Sequence, residues 1–419
     1  MKKQQSGLTN QVTFLLALTC GVVVANMYYI QPIGTQIAQA FQVSIGSIGF
    51  VTMLTQLGYA LGLLFLVPLG DVVDRRKLII RVAALSSLSL SAAFFAPSFL
   101  LFALSSFFIG LLSIVAQIII PYAAVMAGPA NRGKVTGRML GGLLTGILLS
   151  RTISGFIASA ASWRTVYLIA VIFVLALVVL LQLKLPKTVI HTQTSNRLTY
   201  LGSLKSLPKL IKAQPLLREA TVNGFFMFAT FSIFWSTLIF FVSSPAYYWG
   251  PKEVGILAIF GLSGAFVAPI IGRLSDYYPE RKIVLIGLLM QFGSFILLFL
   301  GGTHVVLLIL AIIVLDIGTQ FGQVANQTRV QNLGEEASNR NNTVFMFFYF
   351  IGGSLGSLIG TLMWQNYGWS GVTLTGIGFQ LFALFFSLYA LCSQKEMEQK
   401  KPECYHKHSG FLMFIYSDL

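Results

Sequence analysis

Mostly apolar stretches of roughly 18 to 25 residues recur along the chain at 12–34, 46–69, 78–96, 99–127, 135–160, 163–184, 219–243, 253–272, 282–300, 303–330, 341–363 and 369–392. Each is long enough to cross a bilayer as a helix. A segment surrounded by hydrocarbon must satisfy its own backbone N–H and C=O groups, which leaves helices or a closed barrel. A barrel needs segments of about ten residues with alternating polarity, and these runs are continuous. The fold class that follows is an all-α integral membrane protein with twelve transmembrane helices. Composition agrees, with 56% hydrophobic and 10% charged residues, against roughly 45–50% and 25% in soluble domains.

The twelve spans repeat as two sets of six. Asp71 and Asp276, each followed by a basic cluster, lie 205 residues apart, while Trp163 and Trp369, and likewise Gln117 and Gln323, lie 206 apart. Duplication of a membrane half predicts two pseudo-symmetric six-helix bundles rocking about a site at the bilayer midplane. The expected units are an N-terminal bundle over 1–184, a linker over 185–217 with a surface helix near 201–213, a C-terminal bundle over 218–392, and a poorly ordered tail over 393–419.

A net charge of +15 raises the question of nucleic acid, and its distribution answers it. Basic residues crowd the loops after even-numbered spans: Arg75, Arg76 and Lys77; Arg132, Lys134 and Arg138; Lys184 to Arg218; Arg281 and Lys282; Arg340; and the tail. The opposite loops carry little beyond Arg164 and Lys252. This positive-inside bias places both termini in the cytoplasm. The first apolar run is too long for a cleavable signal peptide and is expected to remain as an anchor. Cys20, Cys392 and Cys404 have neither pairing nor metal-ligand spacing.

One acidic residue, Asp316, and one basic residue, Arg151, lie deep within spans. Either is expensive at a helix centre, on the order of 2.5–3.5 kcal/mol, so functional use is the default expectation. A direct pair would neutralise both. Asp316 heads a polar stripe in the tenth span, with Gln320, Gln323 and Gln327 at helical spacing and Thr319 and Asn326 beside them; such a face cannot look at lipid. In the fourth span Ser106, Gly110, Ser113 and Gln117 form a weaker stripe. Facing stripes in matched positions are expected to line a cavity, or else to hydrogen-bond between helices. The first span ends in Asn26-Met27-Tyr28-Tyr29-Ile30-Gln31-Pro32. There Asn26, Tyr29 and Gln31 are cavity candidates, the two tyrosines are equally candidates for interfacial anchors, and Pro32 is expected to weaken the last turn. Aromatic residues crowd the seventh and eleventh spans, and glycines the fifth and eleventh.

A carboxylate at one helix end, facing the positive N-terminus of a helix from the other half, makes a contact that forms and breaks as one face closes and opens. Asp71 is expected to cap the eleventh span near Arg340 and Asn341, and Asp276 the fifth near Arg138, with Arg75, Arg76 and Arg281 completing the gate. The segment Pro68-Leu69-Gly70-Asp71-Val72-Val73-Asp74-Arg75-Arg76-Lys77, and its second copy from Gly272 to Lys282, resemble the loop between second and third spans in the major facilitator superfamily, approximately G-x-L-a-D-r-x-G-r-k. Here Val67 and Asp74 stand where that pattern has glycines. Over residues 10–392 the chain is similar in particular to the bacterial drug:proton antiporter branch. It carries that branch's fifth-span glycines without the proline.

The resemblance implies a bacterial inner-membrane transporter, working as a monomer without cofactor or metal, that exchanges protons for small hydrophobic or amphipathic compounds by rocker-switch alternating access. Asp316 would exchange protons with Arg151 tuning it. A second reading keeps the fold and gives Arg151 an anionic or sugar-like metabolite, moving in either direction; a third is a transporter-like sensor. Enzyme chemistry is not expected: Gly352-Gly353-Ser354-Leu355-Gly356 matches the nucleophile elbow G-x-S-x-G, but inside a helix rather than at a strand-to-helix turn. No phosphate-binding loop with a trailing lysine is present in the sequence.

Overall fold

The computed structural model describes residues 8–128, 131–186, 200–334 and 337–412, with side chains for all of these except Asp71, Asp276 and 392–412. Among the described residues every element is helical. In the N-terminal half, α1 (Asn10–Ala25) and α2 (Ile30–Phe41) form the first span, α3 (Ile45–Phe65) the second, α4 (Arg75–Phe94) the third, α5 (Phe99–Leu112) and α6 (Val115–Met126) the fourth, α7 (Arg132–Ala160) the fifth and α8 (Trp163–Lys184) the sixth. After α9 (Tyr200–Ala213), where the sequence places a surface helix, come α10 (Pro215–Val242) as the seventh span, α11 (Pro251–Phe260) and α12 (Leu262–Tyr277) as the eighth, α13 (Glu280–Gly301) as the ninth and α14 (Val305–Gln331) as the tenth. The last helix, α15 (Ser338–Leu412), contains Gly368 at φ 62°, ψ −153°. Only glycine adopts that backbone freely, and it divides α15 into the eleventh and twelfth spans.

Helix starts follow local chemistry. The side chains of Thr9, Ser44, Ser98 and Ser162 each accept a backbone N–H in the first turn of α1, α3, α5 and α8, satisfying donors the helix cannot. Asp74, at the position where the resembled loop has a glycine, does the same for α4 through Arg76 N and Lys77 N. Pro215 and Pro251 open α10 and α11, where the missing N–H costs nothing.

One expectation is corrected. The first span breaks at Asn26–Tyr29, and Pro32 lies in the first turn of α2 instead of weakening a last turn; proline has no N–H to lose there. The helix of the twelfth span runs on beyond residue 393 to Leu412, in a stretch rich in Gln, Lys and Glu, which favour helix.

Packing reproduces the repeat. In the N-terminal half α7 lies against α1, and a Cβ added to Gly146 would overlap the backbone of Gly21. In the C-terminal half the eleventh span lies against α10, and a Cβ on Gly352 would overlap the backbone of Phe225. Gly146 and Gly352 are 206 residues apart, so one close helix contact occurs at matched positions of both bundles.

The halves meet away from the face that carries the basic loops. Thr152 Oγ1 donates to Gly255 O (2.8 Å), Gly46 N to Gln365 Oε1 (3.0 Å) and Ser354 Oγ to Met53 O (3.0 Å). Nearer the middle, Gln56 Nε2 donates to Ser357 Oγ (3.1 Å), and the rings of Tyr59 and Phe350 lie 4.3 Å apart. Toward the basic face, a Cβ on Gly133, Gly137 or Gly141 of α7, or on Gly272 of α12, would meet nothing within 4 Å. The fifth and eighth spans therefore touch at one end and separate at the other.

Candidate functional site

The break in the first span directs the centre of the molecule. It carries Tyr28 and Gln31 inward, and Gln31 Oε1 accepts a hydrogen bond from Nε of Arg151. Arg151 is fully buried. Its guanidinium carbon lies 4.2 Å from the Trp235 ring centroid, 5.0 Å from that of Tyr28 and 5.5 Å from that of Phe231, contacts that hold a cation electrostatically. Nη1 and Nη2 have no hydrogen-bond partner.

Asp316 faces this group from the other half. It is 4% exposed, and its Oδ1 and the Trp235 ring both lie 3.2 Å from a Cβ built on Gly261, so carboxylate and indole adjoin at the break in the eighth span. Its Oδ2 has no partner. The two charges are close enough to act on each other without a direct ion pair; Arg151 Nε is held by Gln31 and its terminal nitrogens are left without acceptors. Burial without a direct partner is what makes the pair chemically useful: neither charge is neutralised in place.

Along the tenth span toward the basic face, Gln323 Oε1 accepts from the Tyr349 hydroxyl (3.2 Å) and Gln327 Nε2 donates to Asn342 Oδ1 (3.1 Å). Gln320 is half-buried against Gly264. Asn26 and Asn326 are buried with neither amide atom hydrogen-bonded. In the other half Gln117 Nε2 donates to the Tyr59 hydroxyl (3.1 Å). The Phe228 and Tyr349 rings stack at 4.1 Å, with Phe350 edge-on to Phe228 at 5.1 Å, giving the centre an apolar wall.

Other residues fall elsewhere. Tyr29 lines a groove between the first, fifth and sixth spans with Gly146, Ile153 and Phe173, on a different side from Tyr28. The fourth-span stripe is mostly satisfied in place: Ser106 and Ser113 donate to Phe102 O and Ile109 O of their own helix, and Gly110 packs on Thr55. Thr319 turns into the C-terminal half, where Gln291 Nε2 donates to it (2.6 Å) and Gln380 joins Gln291 to Thr230.

At the basic face, Arg76 donates to Leu185 O (3.0 Å) and Gln182 O (2.8 Å), closing the end of α8, a favourable place for a cation. Arg75 Nε donates to Gly70 O (2.7 Å), Arg138 to Asn10 Oδ1 (3.4 Å) and Arg340 to Ser206 Oγ of α9 (3.0 Å). The side chains of Asp71 and Asp276 lie outside the described residues. Arg281 pairs with Glu219, which also takes Arg329 at 2.6 Å. Glu219 and Arg329 are 5% and 6% exposed, so Asp316 and Arg151 are not the only buried charges. Sequence reasoning passed over both because they sit near span ends, where snorkelling to water is the ordinary outcome.

The sequence matches the model of one protein family, described as Major Facilitator Superfamily, over residues 16–251 and 224–410. It is 36% identical over 376 residues to an uncharacterized transporter, YgaY, of Escherichia coli O157:H7, covering 90% of this chain and 94% of that protein. It is 23% identical over 353 residues to the inner membrane transport protein YnfM of Escherichia coli strain K12, covering 83% and 82%. Among solved structures, a bacterial homologue of the human lysosomal transporter Spinster, in an inward-facing and unoccupied conformation, superposes with a TM-score of 0.78 at 15% identity, over 93% of this chain and 97% of that one. The nucleoside transporter NupG superposes with a TM-score of 0.70 at 16% identity, over 91% and 99%.

Proposed function

The chain belongs to the major facilitator superfamily, and from that premise we propose that it is a proton-coupled secondary transporter of small amphipathic compounds, with Asp316 as the proton carrier. It is a multi-pass membrane transporter, and we place it in the bacterial inner membrane as a monomer, with the basic face and both termini in the cytoplasm. In that orientation the described arrangement is closed outward and open inward.

One observation carries the reading: Arg151 of the N-terminal half and Asp316 of the C-terminal half are buried on either side of the interface, unpaired and joined through Trp235. A rocking motion that separates the halves changes the environment of both charges at once, which is how a protonation state becomes tied to which face is open. The aromatic wall of Phe228, Tyr349 and Phe350 provides the apolar surface that an amphipathic cargo buries.

The arginines at the basic face fit the same cycle. In the inward-open arrangement Arg76, Arg138 and Arg281 bond within their own halves. Asp71 and Asp276 would latch the eleventh and fifth spans when this face closes. The bundles of 1–184 and 218–392 are the moving bodies, joined by 185–217.

The test is flux in proteoliposomes. The purified chain is reconstituted with a pH-sensitive dye inside, and proton movement is recorded while lipophilic cations, organic anions and sugars are added in turn. A compound that moves protons through the wild-type protein and fails to do so through Asp316→Asn supports the reading. Full proton-driven transport in that variant would rule out Asp316 as the carrier.

A further inference from the structure

Given the transporter reading above, we propose that the cargo is an amphipathic organic anion. Its singly charged oxyanion would seat two oxygens on Nη1 and Nη2 of Arg151, and it would move in the same direction as the proton on Asp316. Where the resemblance implies exchange, the site points to co-transport.

The first support is the state of the arginine. Gln31 takes Nε and orients the guanidinium, and the rings of Trp235, Tyr28 and Phe231 hold it from its faces. The two terminal nitrogens are fully buried donors without acceptors. A buried cation with four of its five N–H donors unused is costly, and a carboxylate, sulfonate or phosphonate is the acceptor whose geometry matches that fork end-on. Phe231 and Trp235, at 5.5 and 4.2 Å from the guanidinium carbon, are the rings that the apolar body of the same ligand would meet.

The second support is charge balance. With Asp316 ionised and no cargo, the site sums to zero; with Asp316 protonated and an anion on Arg151, it again sums to zero. Either half-loaded state carries one net charge into a buried site, where an uncompensated charge is strongly disfavoured. The empty and fully loaded forms are therefore the ones that can close and reorient. A monovalent cation in exchange for a proton gives the opposite pattern, with both loaded forms charged and only the empty form neutral, so the carrier would cycle without doing coupled work.

The third support is linkage. An ionised Asp316 repels an anion bound at Arg151, and protonation removes that repulsion, so each ligand raises the other's affinity by the same factor. The groups facing Asp316 leave this coupling intact. Arg151 is the cation, Tyr349 of the eleventh span and Tyr28 of the first are the nearby phenols, and the seventh and eighth spans present Trp235 and Gly261 with Gly264, none of which titrates as an acid or base near neutral pH. The net direction of transport follows the summed gradients of anion and proton.

The experiment is ligand binding to the full-length protein in detergent, measured by calorimetry with benzenesulfonate, benzoate and the neutral isostere benzamide at about pH 5.5 and 7.5. Benzenesulfonate stays ionised throughout, so its pH dependence reports on the protein. The expected result is binding of both anions, at least tenfold weaker binding of benzamide, and benzenesulfonate affinity that falls on the order of tenfold as pH rises. Asp316→Asn should bind at the low-pH affinity at both pH values. Arg151→Lys, which keeps the charge and loses the fork, should lose at least tenfold while its thermal unfolding stays near wild type. Benzamide binding as tightly as the anions, or anion affinity rising with pH, overturns the proposal. If proteoliposomes show proton-coupled flux of other compounds while no anion binds, this cargo assignment falls and the transporter reading stands. If anions bind as described and no flux occurs, the site assignment stands and the transporter reading falls.

Discussion

The guanidinium of Arg151 lies 4.2 Å from the ring centroid of Trp235, and this contact links the fifth span of one half to the seventh span of the other at the level of the two breaks in the first and eighth spans. Trp235 is fully buried and also borders Asp316. A single side chain thus senses both charges of the site. Trp235→Phe retains a ring face and should keep transport within a few-fold of wild type. Trp235→Leu removes the cation–π contact, worth up to about 2 kcal/mol when desolvated, and should lower transport by at least tenfold. Initial rates in proteoliposomes at matched protein density check both.

A second expectation concerns the matched glycines. Gly146 leaves no room for a Cβ beside Gly21, nor Gly352 beside Phe225. Gly146→Val and Gly352→Val force the helix pairs apart, which overpacking data put at about 1–3 kcal/mol each. Thermal unfolding in detergent should show a clear loss for both, while Gly137→Val, where a Cβ meets nothing within 4 Å, should leave the midpoint unchanged.

Much of this was legible in the sequence, and what was not has identifiable causes. Apolar runs of bilayer length and the offset near 206 residues gave the spans and their pairing, because hydrocarbon leaves a backbone few alternatives. Arg151, Asp316, Gln31 and Gln323 were singled out by cost alone, since a polar group is expensive wherever the helix faces. Orientation about the helix axis was not legible near the first-span break. The turn at Asn26–Tyr29 resets the rotational phase of α2 relative to α1, so a straight-helix reading through Gln31 assigns the wrong faces. Ser106 and Ser113 misled because a hydroxyl can be satisfied by the carbonyl one turn earlier, which no spacing reveals. Glu219 and Arg329 were missed because residues distant in sequence, Arg281 among them, decide whether a charge near a span end is buried.

That buried triad yields its own prediction. Glu219 accepts from both Arg281 and Arg329, tying the start of the seventh span to the ninth and tenth. Glu219→Gln leaves two arginines facing each other without a counter-charge, a change of the kind that costs about 3–5 kcal/mol when the pair is buried. The variant should unfold at a markedly lower temperature in detergent. Glu219→Gln combined with Arg329→Met removes one of the two cations and should recover part of the loss, an outcome that a simple packing defect at Glu219 would not produce.

The closed end of the molecule offers the most direct check on alternating access. Thr152 Oγ1 donates to Gly255 O at 2.8 Å, and a Cβ built on Gly255 would sit 3.3 Å from the Thr152 Cα. These two backbones, from different halves, are therefore within reach of a disulfide. In a background with Cys20, Cys392 and Cys404 replaced by serine, the pair Thr152→Cys and Gly255→Cys should cross-link readily under mild oxidation. If the halves part here once per cycle, the oxidised protein should retain less than about a tenth of the wild-type transport rate, and reduction should restore it, because the cross-link removes a state rather than a binding group. Undiminished transport in the fully oxidised protein would mean that this contact stays shut throughout the cycle, and the path across the membrane would have to run elsewhere than between the two halves.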